Sequence, residues 1–565
     1  MDLKTVARKF ALKNAFDYGK AEAKSVVGKV IAEFPEAKKD MKSALAEIAN
    51  AVEEANTLGK SELEKALSAF EFAEKKEEKE KKFSLPGAEE GKVVTRFLPE
   101  PNGPPHLGHA KAAFLSAEFA RQYDGKCLLR WDDTNPEKEK QEFADQIRGG
   151  LNWLGLKFDS ETYASDYMPK LYAFAEQLVS QGDAYACACT QEEMKKNRVE
   201  SKECACRSKS VADSLSLWKK MLDRELKEGD ATLRLKADLK SLNTTMRDPV
   251  LFRIMLTSHY RQGEKYCVWP VYDFEACIVD SLEGVTHAFR SKEYELRDEL
   301  YYFILDKLGV RKPFVYDFSR LDIQGTVLSK RVLRPFIESG KVWGWDDPRL
   351  PTLMGLKRRG LLPQAIRSFV LSFGLSKVES SPSLEALLRE NQKLLETQAN
   401  HYFFVENPVK VLVKNAPSGG ANPLKHQEFP ERGKRFLDAK SDFYIAKRDF
   451  DALTANETFR LKELFNAQVV EKKKDLLIAK FAGKDLLKEL KKIQWVPVEG
   501  AVACEVLQIG DLLRGEEFNP ASLRTARGFC ERSCKDLNDG DFVQFERVGF
   551  ARLDDKTKMR FILIS

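Results

Sequence analysis

The sequence predicts a multidomain α/β + β protein: a helical N-terminal appendage, an alternating strand-helix core, and a C-terminal β-barrel region. Three observations predict it. Over residues 1 to about 85, apolar residues recur at helical spacing with almost no clustering of β-branched side chains. From about residue 91, strand-like runs alternate with amphipathic stretches, the pattern of a parallel sheet covered by helices. Beyond His401 come short strand-like runs separated by Gly, Asn and Asp turns, which reads as one β-barrel or a pair of them.

A chain of 565 residues is too long for a single core, and roughly three or four domains follow from usual domain size. With 43% hydrophobic and 32% charged residues, it has the composition of a folded rather than a disordered chain. No run approaches the roughly 18 consecutive apolar residues of a membrane span. The N-terminal stretch MDLKTVARKFALKNAFDYGK is charged throughout, so no signal core is expected and the protein reads as cytoplasmic. A net charge of +6 is small for this length, so any basic surface that meets nucleic acid must be local.

The first 90 residues hold VARKFALKNAF, SVVGKVIAEF, MKSALAEIANAVEEA and SELEKALSAFEFA, punctuated by Pro35 and Gly59 into three or four short helices. AEKKEEKEKKFSLPG follows as a mixed charge run closed by Pro86-Gly87, expected to be a solvated helix end and linker. This appendage contains nothing resembling a catalytic constellation. Binding a protein partner is its candidate role.

The core opens with RFLPEPNGPPHLGHAK (Arg96 to Lys111), which reads as strand, tight Pro/Gly loop and helix N-terminus. Such a terminus presents unpaired N–H groups and the positive end of the helix dipole, a place for phosphate. His106 and His109 add imidazole donors there, and Gly108 leaves the backbone open to a flat base. CLLRWDDTNP reads as a second strand ending in Asp132. Ligands bind at the carboxyl ends of parallel strands, so Arg96 and Asp132 are expected to face one crevice, a cation suiting a carboxylate and an acid suiting an ammonium.

Residues 166–268 interrupt the alternation. They contain YACACTQEEMKKNRVESKECACR, where Cys187 and Cys189, then Cys204 and Cys206, form two C-x-C pairs joined by a polar loop. Two thiolate pairs can close a tetrahedral site, which suits structural zinc and leaves no open position for catalysis. The remaining six of the ten cysteines (Cys127, Cys267, Cys277, Cys504, Cys530 and Cys534) are scattered and read as small buried hydrophobes.

The alternation resumes in WPVYDFEACIVDSLEGVTHAFRSKEYELRDELYYFILDKLG, with Tyr272 in a strand-like run and Arg290 at the end of a third strand candidate. Ser329-Lys330-Arg331 then falls in a polar turn, with Lys330 a mobile charge able to meet polyphosphate. Residues 346–395 are again helical and include Lys357-Arg358-Arg359-Gly360, a candidate contact for RNA backbone.

RFLPEPNGPPHLGHAK, WDDTNP, WPVYDFEACIVDSLEGVTHAFRSKE, VLSKR and GWDDPRLPTLMGLKRRG, in this order, resemble the class I aminoacyl-tRNA synthetases of the glutamyl/glutaminyl branch, more narrowly the archaeal and eukaryotic type of glutamyl member. The resemblance implies a Rossmann-type class I catalytic domain in two halves (91–165 and 269–325). Between them lies an acceptor-end-binding insertion (166–268). A KMSKS-like loop with a helical subdomain (326–395) and an anticodon-binding barrel region (396–565) follow.

It further implies that His106, Gly108 and His109 hold ATP, and that Ser329 and Lys330 are the kept part of KMSKS, with Val327, Leu328 and Arg331 departing from its consensus. Arg96, Asp132, Tyr272 and Arg290 would line the amino-acid pocket. Arg290 argues for glutamate, because burying a γ-carboxylate without a cation is costly, whereas glutamine needs only neutral partners. The implied substrates are Mg-bound ATP, L-glutamate and tRNA(Glu), with tRNA(Gln) as a second candidate. A glutaminyl enzyme is the alternative within the branch; a non-catalytic tRNA-binding factor on a synthetase fold and a tRNA-independent transferase are alternatives outside it.

Overall fold

The computed structural model describes residues 2–18, 21–67, 70, 85–379 and 381–564, so nearly all of the charged run at 73–87 lies outside the described residues. The chain divides into two compact units, Met1–Leu85 and Pro86–Ser565.

The first unit is built from α1 (Leu3–Tyr18), α2 (Ala23–Glu33), α3 (Met41–Thr57) and α4 (Lys60–Leu67). Pro35 opens a 3₁₀ segment where the chain turns from α2 to α3, its fixed φ suiting a helical first turn. Asp40 then caps α3 by accepting from the Ser43 N–H at 3.1 Å, a contact worth about 1 kcal/mol. Small and β-branched residues (Val6, Ala7, Ala11, Val26, Val30, Ile48) form the core, so the helices approach closely.

The second unit opens with β1 (Val94–Phe97), α5 (Leu107–Gln122), β2 (Lys126–Trp131), α6 (Gln141–Trp153) and β3 (Ser160–Tyr163), with β1, β2 and β3 paired in parallel. An insertion follows: α7 (Met168–Ser180), β4 (Ala184–Cys187), α8 (Gln191–Glu200), α9 (Val211–Leu222), β5 (Thr232–Leu235), β6 (Val250–Ile254) and β7 (Val268–Pro270). Its strands form an antiparallel sheet in the order β4-β5-β6-β7, packed around buried Trp218, Phe252 and Trp269.

The chain then returns through α10 (Tyr272–Leu282), β8 (His287–Ser291), α11 (Asp298–Leu308) and β9 (Phe314–Phe318), with β8 parallel to β9. Thr286 fastens β8 beside β1: its N–H donates to Val94 O and its Oγ1 accepts from Val94 N, both at 2.8 Å. The spatial order is therefore β3-β2-β1-β8-β9. The connections reverse between β1 and β8, and a crevice opens at the carboxyl ends of the strands there.

Two expectations are corrected in this region. Tyr272 is the first residue of α10 rather than part of a strand, because the strand belongs to the insertion and ends at Pro270; Asp273 and Glu275 in the first turn suit a helix N-terminus. Lys330 likewise opens a helix, α12 (Lys330–Glu338), rather than lying in a turn. It is followed by α13 (Leu353–Arg359), α14 (Pro363–Leu371) and α15 (Leu384–Leu395).

The C-terminal region holds two seven-stranded sheets, each closed on itself. In one, Asn400–Tyr402 and Phe404–Glu406 are its two edges, joined through Phe403 alone; in the other, Lys491–Ile493 and Trp495–Pro497 are the edges, joined through Gln494. A strand that bends from one edge to the other removes both free edges, which makes each sheet a barrel. The barrels are interleaved. The first takes its remaining strands from 502–563, so the second, running from 408 to 497, is inserted into it.

The LysArgArgGly turn is a further correction. Arg358 forks onto Asp554 of the first barrel at 2.8 and 3.0 Å and reaches Asp346 at 2.9 Å. Arg359 is buried at 6% exposure, and burial lowers it to about 10. Only Lys357 of the three faces solvent. Arg358 thus fastens the barrel to α13 and Arg359 is buried, so neither arginine is an open RNA contact.

Candidate active site

A cavity of about 490 Å³ lies at the β1/β8 reversal, and Arg96, His106, Gly108, His109, Asp132, Tyr272, Arg290, Ser329 and Lys330 all line it. The loop before α5 brings the histidines there. Its backbone pairs with the segment before α13: Leu107 N–H donates to Pro351 O at 3.3 Å, and Leu353 N–H to Pro105 O at 2.8 Å.

His106 caps α5. Its Nδ1 accepts from Gly108 N–H at 3.0 Å, while His109 Nδ1 accepts from His106 N–H at 3.2 Å. A nitrogen that accepts carries no proton, so each ring keeps its proton on Nε2 and offers one neutral donor. Burial, then the neighbouring cations, holds His106 well below the usual imidazole range; burial and Lys330 hold His109 at about 4. Both are neutral at neutral pH.

Gly108 has a closer steric reason than room for a base. A Cβ there would stand 2.8 Å from His106 Cε1. Across the cavity mouth, Lys330 Nζ donates to Asn102 O at 2.6 Å, and its stem crosses Gly103, where a Cβ would meet Lys330 Cδ at 2.9 Å. Lys330 is thereby parked beside the histidine loop.

At the other end of the cavity stand two arginines of different character. Arg96 is 2% exposed, and Asp280 takes its Nε and Nη2 at 3.0 and 3.2 Å while Phe289 O takes Nη1 at 2.7 Å. Asp280 also takes Arg130, which Glu283 holds at 2.9 Å, so Arg96 belongs to a buried network of two guanidiniums and two carboxylates. Arg290 is 4% exposed, and its Nε and Nη1 have no hydrogen-bond partner among the described residues. Its guanidinium is held among the rings of Tyr272, Tyr294 and Tyr301 at 5.7, 5.3 and 5.5 Å. Asp298 Oδ1 lies 3.3 Å from Nη1, so the charge is countered, but the donors on Nε and Nη1 still lack an acceptor that a substrate carboxylate can supply.

Asp132 faces the same space. Glu275, fully buried on the first turn of α10, lies beneath it with no other donor to either oxygen. Burial, first, and the neighbouring acids raise both carboxyls, Asp132 to about 7 and Glu275 well above the usual carboxylate range. Glu275 and Asp280 were not singled out from the sequence. Both sit one helical turn or two after Tyr272, a signal that is visible only once the segment is read as helix.

The four paired cysteines are outside this cavity. Cys187 ends β4, Cys204 precedes a 3₁₀ turn that contains Cys206, and the four Sγ atoms lie within 4.8 Å of one another, with Cys187 and Cys204 at 3.9 Å. A tetrahedron with Zn–S bonds of about 2.3 Å has edges of about 3.8 Å, so the donor set fits a closed zinc site.

The family model described as "tRNA synthetases class I (E and Q), catalytic domain" matches residues 92–396. Two models described as "tRNA synthetases class I (E and Q), anti-codon binding domain" match residues 399–480 and 492–554. A glutamate–tRNA ligase of Nitrosopumilus maritimus is 41% identical over 566 residues, covering 99% of both chains. Those of Korarchaeum cryptofilum and Pyrococcus furiosus are 39% and 40% identical, the first covering 100% of this chain and 99% of its own, the second 98% of each.

Proposed function

The chain belongs to the class I tRNA synthetases for glutamate and glutamine and catalyses glutamate–tRNA ligation, and on that premise we propose which of its side chains carry each step. The substrates are Mg-bound ATP, L-glutamate and tRNA. In the first step a glutamate α-carboxylate oxygen attacks the α-phosphorus, the bond to the β-phosphate oxygen breaks, and pyrophosphate leaves. In the second, the terminal 2′-hydroxyl of tRNA attacks the acyl carbon and AMP leaves.

No protein nucleophile is needed. Catalysis comes from holding the reacting atoms in line and from charge placed where it develops. His106 and His109 donate Nε2–H to the phosphates at the N-terminus of α5. Lys330 leaves the Asn102 carbonyl and follows the charge that builds on departing pyrophosphate. Asp132, supported by Glu275, receives the substrate ammonium; Tyr272 and Arg96 shape the pocket; Arg290 meets the γ-carboxylate. The observation that carries the choice of glutamate is the buried guanidinium of Arg290 on the cavity wall, whose Nε and Nη1 have no hydrogen-bond acceptor among the described residues although Asp298 stands beside it. Pyrophosphate–ATP exchange in the presence of tRNA tests the reading. Exchange should require glutamate, and exchange driven by glutamine alone would overturn it.

Gly108 provides a second check. Gly108→Ala would force the His106 ring aside, and a displacement of about 1 Å costs on the order of 10²-fold in kcat/KM for ATP. Thermal melting should be nearly unchanged, so a large loss of stability with intact kinetics would contradict the assignment.

The insertion and the barrels would meet the acceptor end and the anticodon of tRNA, and the Cys187, Cys189, Cys204 and Cys206 site would hold structural zinc that keeps the loop between β4 and α9 in place. Elemental analysis of the intact protein should find about one zinc per chain, lost in Cys204→Ser. An equal zinc content in both would place the metal elsewhere.

A further inference from the structure

We propose that Asp280 is the positioning residue of the amino-acid pocket: without touching substrate, its ionised carboxylate fixes both Arg96 and the Tyr301 ring beside Arg290, and glutamate binding depends on it. The proposal rests on the reading that Arg290 receives the γ-carboxylate.

Asp280 stands in the last turn of α10, fully buried, and is not among the residues that line the cavity. Four donors from three elements converge on it. From β1, Arg96 donates Nε–H to Oδ1 at 3.0 Å and Nη2–H to Oδ2 at 3.2 Å. From β2, Arg130 Nη2 donates to Oδ1, and from α11 the Tyr301 hydroxyl donates to Oδ2 at 2.9 Å. A carboxylate has about four acceptor sites, so both oxygens are fully used. Burial alone would raise this carboxyl, but Arg96 and Arg130 outweigh it and hold Asp280 below the usual carboxylate range. It is therefore ionised at neutral pH.

The contacts reach Arg290 by two routes. Arg96, oriented by its fork on Asp280, gives Nη1–H to Phe289 O at 2.7 Å, the carbonyl of the peptide bond that leads into Arg290. Tyr301, tied by its hydroxyl, sets its ring 5.5 Å from the Arg290 guanidinium. The other end of the network points away from the pocket. Arg130 is fully buried and gives Nη1–H to Glu283 Oε2 at 2.9 Å, and Glu283 Oε1 accepts from Thr162 of β3 at 2.6 Å and from Tyr167, just before α7, at 3.0 Å.

The charge balance of this network holds only while Asp280 is charged. Without that charge two buried guanidiniums share one carboxylate, a costly arrangement that the side chains relieve by moving. Asp280→Asn keeps the size of the side chain but turns one acceptor oxygen into an NH2 donor, facing groups that are themselves donors. Whichever oxygen is replaced, Arg96 loses one arm of its fork.

The experiment measures KM for glutamate and KM for ATP in the unaltered enzyme, Asp280→Asn, Tyr301→Phe and Thr162→Val. KM does not change with the fraction of enzyme that is folded, so a loss of stability alone leaves it level. In Asp280→Asn KM for glutamate should rise about tenfold or more, the usual cost of a lost hydrogen bond to a charged group, while KM for ATP stays within about twofold. Tyr301→Phe keeps the ring but frees it from Asp280, and should raise KM for glutamate about threefold. Thr162→Val, at the far end of the network, should leave both values level. A level glutamate KM in Asp280→Asn, an equal rise in both KM values, or the same rise in Thr162→Val would reduce Asp280 to a packing ion pair and overturn the proposal. Should Asp280→Asn fail to fold, a level glutamate KM in Tyr301→Phe overturns it. If Arg290→Ala leaves KM for glutamate unchanged, the underlying reading of Arg290 falls instead, whereas a raised value there beside a level one in Asp280→Asn removes the role of Asp280 alone.

Discussion

Arg290→Ala is expected to lower kcat/KM for glutamate by roughly 10²- to 10³-fold, the usual consequence of removing one partner of a buried, hydrogen-bonded charge pair at about 3–4 kcal/mol. The reason lies in what surrounds the guanidinium. Arg96, the other cation lining the pocket, is tied with Arg130 into a charge-balanced network with Asp280 and Glu283, so it supplies no spare charge to take over. Three tyrosine rings hold Arg290 in place, and truncation leaves a γ-carboxylate beside the Asp298 carboxyl with no cation between them. KM for ATP should not move, because the histidines and Lys330 stand at the other end of the cavity. A glutamate KM within twofold or so of the unaltered enzyme would remove Arg290 from the pocket's function.

Lys330→Ala is expected to depress adenylate formation by about 10²- to 10³-fold while changing ground-state ATP binding little, since a donor used mainly in the transition state appears in kcat rather than in affinity. In the structure without substrate Lys330 donates to Asn102 O, which holds it a short swing from the phosphate site. Single-turnover formation of the adenylate and equilibrium ATP binding separate the two effects. Equal losses in both would mean that Lys330 binds ATP without following the leaving charge.

How much of this was legible in the sequence depended on how local each signal was. The strand, loop and helix around HLGH could be read because Pro, Gly and the apolar period lie within twenty residues or so. The role of Gly108 could not, because its neighbour is the folded-back ring of His106. VWPVYDFEACIV is apolar at both periods, so the sequence alone reads Tyr272 as strand, and only the pairing of β7 with β6 ends the strand at Pro270.

Long-range pairing hid more. The Arg358 cation reads as a solvent-facing charge until Asp554, 196 residues on, is placed against it. The barrel strands read as a serial run, although Asn400–Tyr402 and Phe404–Glu406 close a barrel whose other strands begin at Val502. The fold class and the glutamate–tRNA ligase activity expected from the motifs agree with the family models and the relatives.

The most direct measurement is the charging of tRNA by the unaltered protein with labelled L-glutamate and, separately, with labelled L-glutamine. A buried guanidinium whose Nε and Nη1 lack an acceptor calls for esterification of glutamate and no detectable esterification of glutamine. Charging of glutamine at a rate comparable to glutamate would contradict it, because a neutral amide would then satisfy Arg290 as well as a carboxylate does.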